Sequence, residues 1–287
     1  MKIPANYRTH ADSQYCLVLD SLLCTGELIA SRAGETFSLT DTNPIAFTSL
    51  PLVTLRKTAW KMALKEMEWF LSGDVECPKE LLPWWEKQLS PDGCYLHGYP
   101  EQFRYADTNG YDQLAFILGG LQSNPNSRRL IMTAWNPEEM AGITTINQNP
   151  NTPTTCHSTL IQFFVRNDKL YANHYQRSAD ILLGVPHNWV QHWAFLQFLA
   201  YHAKLKVGHL RWVFGDVHLY QEESHMDTAE EILAEDPRAN WGNAPKLDYN
   251  YSGKLDHAGL PAFLADDFAL LGEILEPVTI TKPILLV

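Results

Sequence analysis

The chain has 287 residues, 45% hydrophobic and 19% charged, enough apolar material for one large globular core. Its net charge of −11 argues against binding polymeric nucleic acid, which needs a basic surface, but leaves open a small anion held by a few arginines. No secretory leader is visible and apolar runs such as 182–186 are too short to span a bilayer, so a cytoplasmic protein with no membrane partner is expected.

Residues 59–71 carry apolar side chains at helical spacing and stop at Ser72-Gly73-Asp74. Residues 111–121 predict a second helix, ended by Asn124-Pro125. Segments 160–165 and 170–175 predict short strands joined by a tight hairpin at Arg166-Asn167-Asp168. A third helix is expected over 188–205, which follows Pro186 and is apolar on most sides through Trp189, Trp193, Leu196, Phe198 and Leu199. Residues 210–214 predict another strand, while 147–155 and 236–245 read as loops. Helices and strands intermingle without regular alternation. The expected fold class is therefore α+β: a single domain over residues 1–287 with a large mixed β-sheet flanked by helices.

Five cysteines, Cys16, Cys24, Cys77, Cys94 and Cys156, form no CxxC pair, which disfavours a metal site or a disulfide framework and suits a reducing compartment. Cys156-His157 lies between a loop and a strand, where a thiol can act as a nucleophile once its pKa falls. Tyr175-Gln176-Arg177-Ser178-Ala179-Asp180 precedes a turn that leads to His187-Asn188. Arginine and serine suit a phosphate, and an asparagine amide matches the N3–H and O4 edge of uracil. His218 and Tyr220 add two ring side chains suited to a sugar hydroxyl, and Ser127-Arg128-Arg129 a second basic pair. Taken singly, an Arg–Asp pair is a surface ion pair more often than a site, and a histidine such as His218 a satisfied core residue.

In order, these motifs resemble the thymidylate synthase family over roughly residues 28–225. Leu50-Pro51-Leu52-Val53-Thr54 with Glu66 through Asp74 resembles the segment around that family's catalytic glutamate. Ser127-Arg128-Arg129 with Ala134-Trp135-Asn136 resembles its cross-subunit arginine motif, and Gln162 to Val165, the Tyr175 to Ser178 motif and Asp216 to Tyr220 follow. The resemblance implies a homodimer that packs sheet to sheet. It implies Cys156 as the nucleophile toward C6 of a pyrimidine deoxynucleoside monophosphate, with His157 beside it, and 5,10-methylenetetrahydrofolate as the reduced folate co-substrate. Arg177 and Ser178, after Gln176, would bind phosphate with Arg32, and Arg128 and Arg129 would come from a partner. Asn188 would read the base, His218 and Tyr220 the sugar; Glu66 would organise proton transfers near O4. Trp85 and Asp180 would line the folate site, and the tail ending at Val287 would seal it. No metal is implied.

Departures from that pattern bear on the product. The spacing from Cys156 to Gln162 is one residue longer than usual, and the loop before Cys156 is long. His187 replaces a phenylalanine, Trp189 a smaller apolar residue, and Gln88 a second folate-site tryptophan. These features resemble phage nucleotide hydroxymethylases, while His157 and the terminal Pro283 to Val287 resemble a methylase. The favoured expectation is hydroxymethylation of dUMP, with dUMP methylation as the alternative. Asn188 favours uracil, and cytosine stays open because an amide can flip and His187 stands beside it. A catalytically silent nucleotide-binding homologue is the remaining alternative, against which Cys156, Glu66 and Arg177 stand intact.

Overall fold

Alternation of buried and more exposed side chains runs along residues 169–177, with Leu170, Ala172, His174 and Gln176 all pointing to one side. Such a stretch needs cover on one face, and the fold is organised around supplying it. The computed structural model describes residues 10–31, 34–105, 110–136, 160–236 and 244–272. Its elements begin with α1 (Ala11–Thr25), β1 (Glu27–Ser31), β2 (Gly34–Leu39), β3 (Ile45–Phe47) and α2 (Trp60–Ser72). Next come α3 (Leu82–Trp85), α4 (Tyr99–Tyr105), α5 (Gln113–Ser123), β4 (Ile131–Thr133), β5 (Leu160–Arg166) and β6 (Lys169–Asp180). Then follow α6 (Val185–His202), β7 (Lys206–Tyr220), α7 (Glu223–Ala234), β8 (Lys246–Tyr249) and β9 (Phe268–Leu271).

Among the described residues the large sheet has the order β1-β2-β7-β6-β5-β4, with β3 also paired to β7. All its pairings are antiparallel except β6 with β7, which run parallel and are joined through α6. The sheet is mixed and flanked by helices, as expected from the interspersed pattern. The β5–β6 hairpin turns at Asn167 and Asp168, both at positive φ (49° and 57°), which are the residue types that tolerate that region. Gly215 lets β7 lie close to β6, since a Cβ there would sit 2.8 Å from the Arg177 carbonyl oxygen.

Helix α6 covers the buried side of β6 and β7 and is apolar nearly all round, with Trp189, Phe195, Leu196 and Phe198 fully buried. It starts three residues earlier than the sequence suggests, because Pro186 occupies the first turn, where its missing N–H costs nothing. Strands β6 and β7 extend well past the short segments expected, so the 175–180 and 216–220 motifs lie on strands and not in turns. Among the described residues the sheet's other face is uncovered: Leu160, Tyr175, Arg177 and Arg211 are exposed, and Phe164, Tyr171 and Val213 half-buried. Of the two expected loops, 147–155 lies outside the described residues, as do 237–243 of the second.

Candidate active site

The site forms where β6 ends and α6 begins. Asp180 Oδ1 accepts the backbone N–H groups of Leu182 and Leu183, each at 2.9 Å, which tightens the turn and aims the helix start. Gly184 leaves room for Asn188 one turn on: a Cβ there would lie 3.3 Å from Asn188 Oδ1.

From Asn188 a row of polar side chains crosses the interior. Gln176 Nε2 donates to Asn188 Oδ1 at 3.0 Å, and Asn188 Nδ2 donates to Gln191 Oε1 at 3.1 Å. Gln191 Nε2 donates to Glu66 Oε2, and Trp85 Nε1 donates to Glu66 Oε1. At the other end Trp212 Nε1 donates to Gln176 Oε1 at 3.1 Å. Four elements, α2, β6, α6 and β7, thus hold one network together with Trp85. Glu66 is buried, and loss of hydration pushes its carboxyl up to about 7, against the pull of the Trp85 and Gln191 hydrogen bonds. A carboxyl balanced there can give or take a proton near neutral pH.

A second group lies on the neighbouring strands. His218 Nδ1 and Asp216 Oδ1 are 3.0 Å apart, and Ser38 Oγ donates to Asp216 Oδ2 at 2.9 Å. The His218 hydrogen bond, foremost, holds the Asp216 carboxyl below the usual carboxylate range. Tyr220 meets His218 edge to face, with centroids 5.5 Å apart. Arg177 is exposed, its guanidinium 5.3 Å from the Trp135 ring centroid, and Ser178 follows it on β6 beside Asp216 of β7.

A family model described as thymidylate synthase matches residues 13–278. The chain belongs to the thymidylate synthase family. Thymidylate synthase of Ascaris suum is 28% identical over 294 residues, covering 91% of this chain and 92% of that protein. Thymidylate synthase of Francisella tularensis subsp. holarctica is 34% identical over 197 residues, covering 66% of this chain and 71% of that protein. Proteins of the thymidylate synthase family are one-carbon transferases with methylenetetrahydrofolate as co-substrate, and this chain is an enzyme of that class.

Within this thymidylate synthase fold, Glu66, Trp85, Gln176 and Asn188 come together in one network, and Arg177, Ser178, Asp180, His218 and Tyr220 lie along the adjoining strands β6 and β7. Arg128 and Arg129 do not join them. Thr133 pairs with Leu160 and Leu160 with Tyr175, so Arg129 lies about six residues, roughly 20 Å, along the sheet from Arg177 and two strands across. Both arginines are exposed. Both ring nitrogens of His187 are engaged: Nδ1 with the Leu183 carbonyl oxygen at 2.7 Å, Nε2 with the Ala59 N–H at 3.3 Å. Burial lowers its pKa to about 4, so the ring is neutral and has no nitrogen left over for a base; His187 positions α6 against the start of α2. Cys156, His157, Arg32 and Val287 lie outside the described residues. Sequence reading missed Gln191 and Trp212. The one signal for Gln191 was a polar residue inside an apolar helix; Trp212 had none, because a tryptophan in a strand reads as core.

Proposed function

We infer that this enzyme transfers one carbon from 5,10-methylenetetrahydrofolate to C5 of dUMP, acting as one catalytic unit over residues 1–287. The observation that carries this reading is the buried hydrogen-bond network joining Asn188 to Glu66 through Gln191, which supports a base-reading role for the amide and a proton-exchanging role for the carboxyl. Cys156 adds to C6, and the electrons move to C5 and O4 as an enolate that can attack an electrophilic methylene. Asn188 donates to O4 and accepts from N3–H, and Glu66 exchanges protons near O4. Arg177 and Ser178, with Arg32, hold the phosphate, and His218 and Tyr220 the sugar. Arg56 is buried with Nε and Nη1 unpartnered among the described residues, and it offers charge to the acidic tail of a reduced folate near Trp85 and Asp180.

The favoured product is 5-hydroxymethyl-dUMP, formed when water adds to the exocyclic methylene at C5 and tetrahydrofolate leaves unoxidised. Supporting this, Gln88 carries a buried carbonyl oxygen with no partner among the described residues, which attracts water where an indole would exclude it. The second reading is hydride transfer from the folate, giving a methyl group and dihydrofolate; the names of both relatives favour it. Incubation with methylenetetrahydrofolate and dUMP or dCMP, followed by mass spectrometry, separates them. A hydroxymethyl gain with tetrahydrofolate supports the first reading, and a methyl gain with dihydrofolate replaces it by the second. No gain on either nucleotide overturns both.

The enzyme works as a homodimer through the open sheet face, because Arg128 and Arg129 are too far from Arg177 to serve the same chain's phosphate site. Its compartment is the reducing cytoplasm, where thiols such as Cys16, Cys24, Cys77 and Cys94 stay free.

A further inference from the structure

The polar row through the site has one workable direction. An indole N–H can only donate, so Trp212 fixes which end of Gln176 is carbonyl. That choice passes to Asn188 and then to Gln191, whose –NH2 group arrives at the acceptor oxygen of Glu66. Turning all three amides over would set the Gln176 –NH2 group against the Trp212 N–H at any pH, and the Gln191 carbonyl against the Glu66 carboxylate whenever Glu66 is ionised. Each mismatch is buried, since Gln176, Gln191, Trp212 and Glu66 are all buried, and neither end could turn to water for relief.

After its two bonds within the row, Asn188 keeps one N–H and one oxygen lone pair, in fixed places. Uracil presents a donor at N3 and an acceptor at O4; cytosine presents an acceptor at N3 and a donor at N4. Once phosphate and sugar fix how the nucleotide lies, an amide that cannot turn over matches only one of the two. We propose that Trp212 and Gln191 determine the choice of uracil over cytosine, as positioning residues that lock the Asn188 amide from its two sides. This rests on Asn188 being the base reader.

The test is calorimetric binding of dUMP and dCMP to the full chain and to three variants. Trp212→Phe keeps a ring against His174, whose centroid lies 3.8 Å away, and removes only the N–H. Gln191→Met keeps the length of the side chain and breaks the row between Asn188 and Glu66. Each is expected to lower the ratio of the dCMP Kd to the dUMP Kd by about tenfold, the equivalent of about 1.4 kcal/mol. Inorganic phosphate binding should stay unchanged. If both variants weaken the two nucleotides equally, so that the ratio stands, their role is structural and the proposal is overturned. Asn188→Asp separates the two levels. If it shifts the ratio while the other variants do not, only the lock falls; if it too leaves the ratio unmoved, Asn188 is not the base reader. Should one variant fail to fold, the other decides the outcome.

Discussion

Glu66 shows how a single environment sets chemistry. Its carboxyl is pushed up to about 7 from 4.5 by burial, so it is protonated in mildly acidic solution and ionises near neutrality. If it donates a proton during turnover, kcat should fall as pH rises through about 7. Glu66→Gln should remove that limb and lower kcat by roughly 10²–10⁴, measured by steady-state kinetics across pH. Linkage gives the matching stability statement. A folded pKa raised above the unfolded one contributes stability that is full below 4.5 and lost as pH rises through about 7. The Glu66 position was legible in sequence from its motif, but its proton affinity was not. That affinity is set first by burial and is held down by the hydrogen bonds of Trp85 and Gln191, distant in sequence and adjacent in space.

At the scale of elements, α6 carries a buried histidine, His192, whose titration is expected to make the fold acid-sensitive. His192 donates from Nδ1 to the Asn188 carbonyl oxygen at 2.8 Å and packs against His174 of β6, with centroids 4.3 Å apart. Burial lowers His192 to about 4 and His174 well below the usual histidine range. The groups facing this pair are each other, the Trp212 ring and the Asn188 backbone. Folded pKa values below 6.5 mean stability that is present above 6.5 and lost as pH falls through about 4. Traversing that window costs up to roughly 3 kcal/mol for His192 alone. His192→Phe should therefore flatten the fall in thermal midpoint between neutral and acid pH; an unchanged slope would place the sensitivity elsewhere. The helix itself was legible because an apolar run after proline has few other solutions. Strands β6 and β7 were underestimated because their Arg, Ser, Asp and His residues look like loop composition, and the sheet pairing that holds them extended is long-range.

For the whole molecule the open sheet face is decisive. Among the described residues this face leaves Leu160 and Tyr175 exposed, and in the proposed homodimer a second copy of the same face covers it. Leu160→Asp should yield monomers in analytical ultracentrifugation with greatly reduced turnover. Mixing Cys156→Ser subunits with Arg129→Ala subunits should restore activity, because one of the two hybrid sites receives both intact residues. Hybrids as inactive as either parent would mean that the arginines serve no partner site.

The sequence by itself determined the family, the central helix, the β5–β6 hairpin and the residue types of the site, because these depend on local periodicity and on ordered motifs. Only the tertiary structure decided which polar groups meet. Gln191 and Trp212 entered the site, His187 turned both its nitrogens to the backbone, and Arg128 and Arg129 were carried far from Arg177. Hydrogen-bond partners across a packed sheet and helix depend on register and on the approach of separate elements. A one-dimensional pattern of residues does not contain those distances.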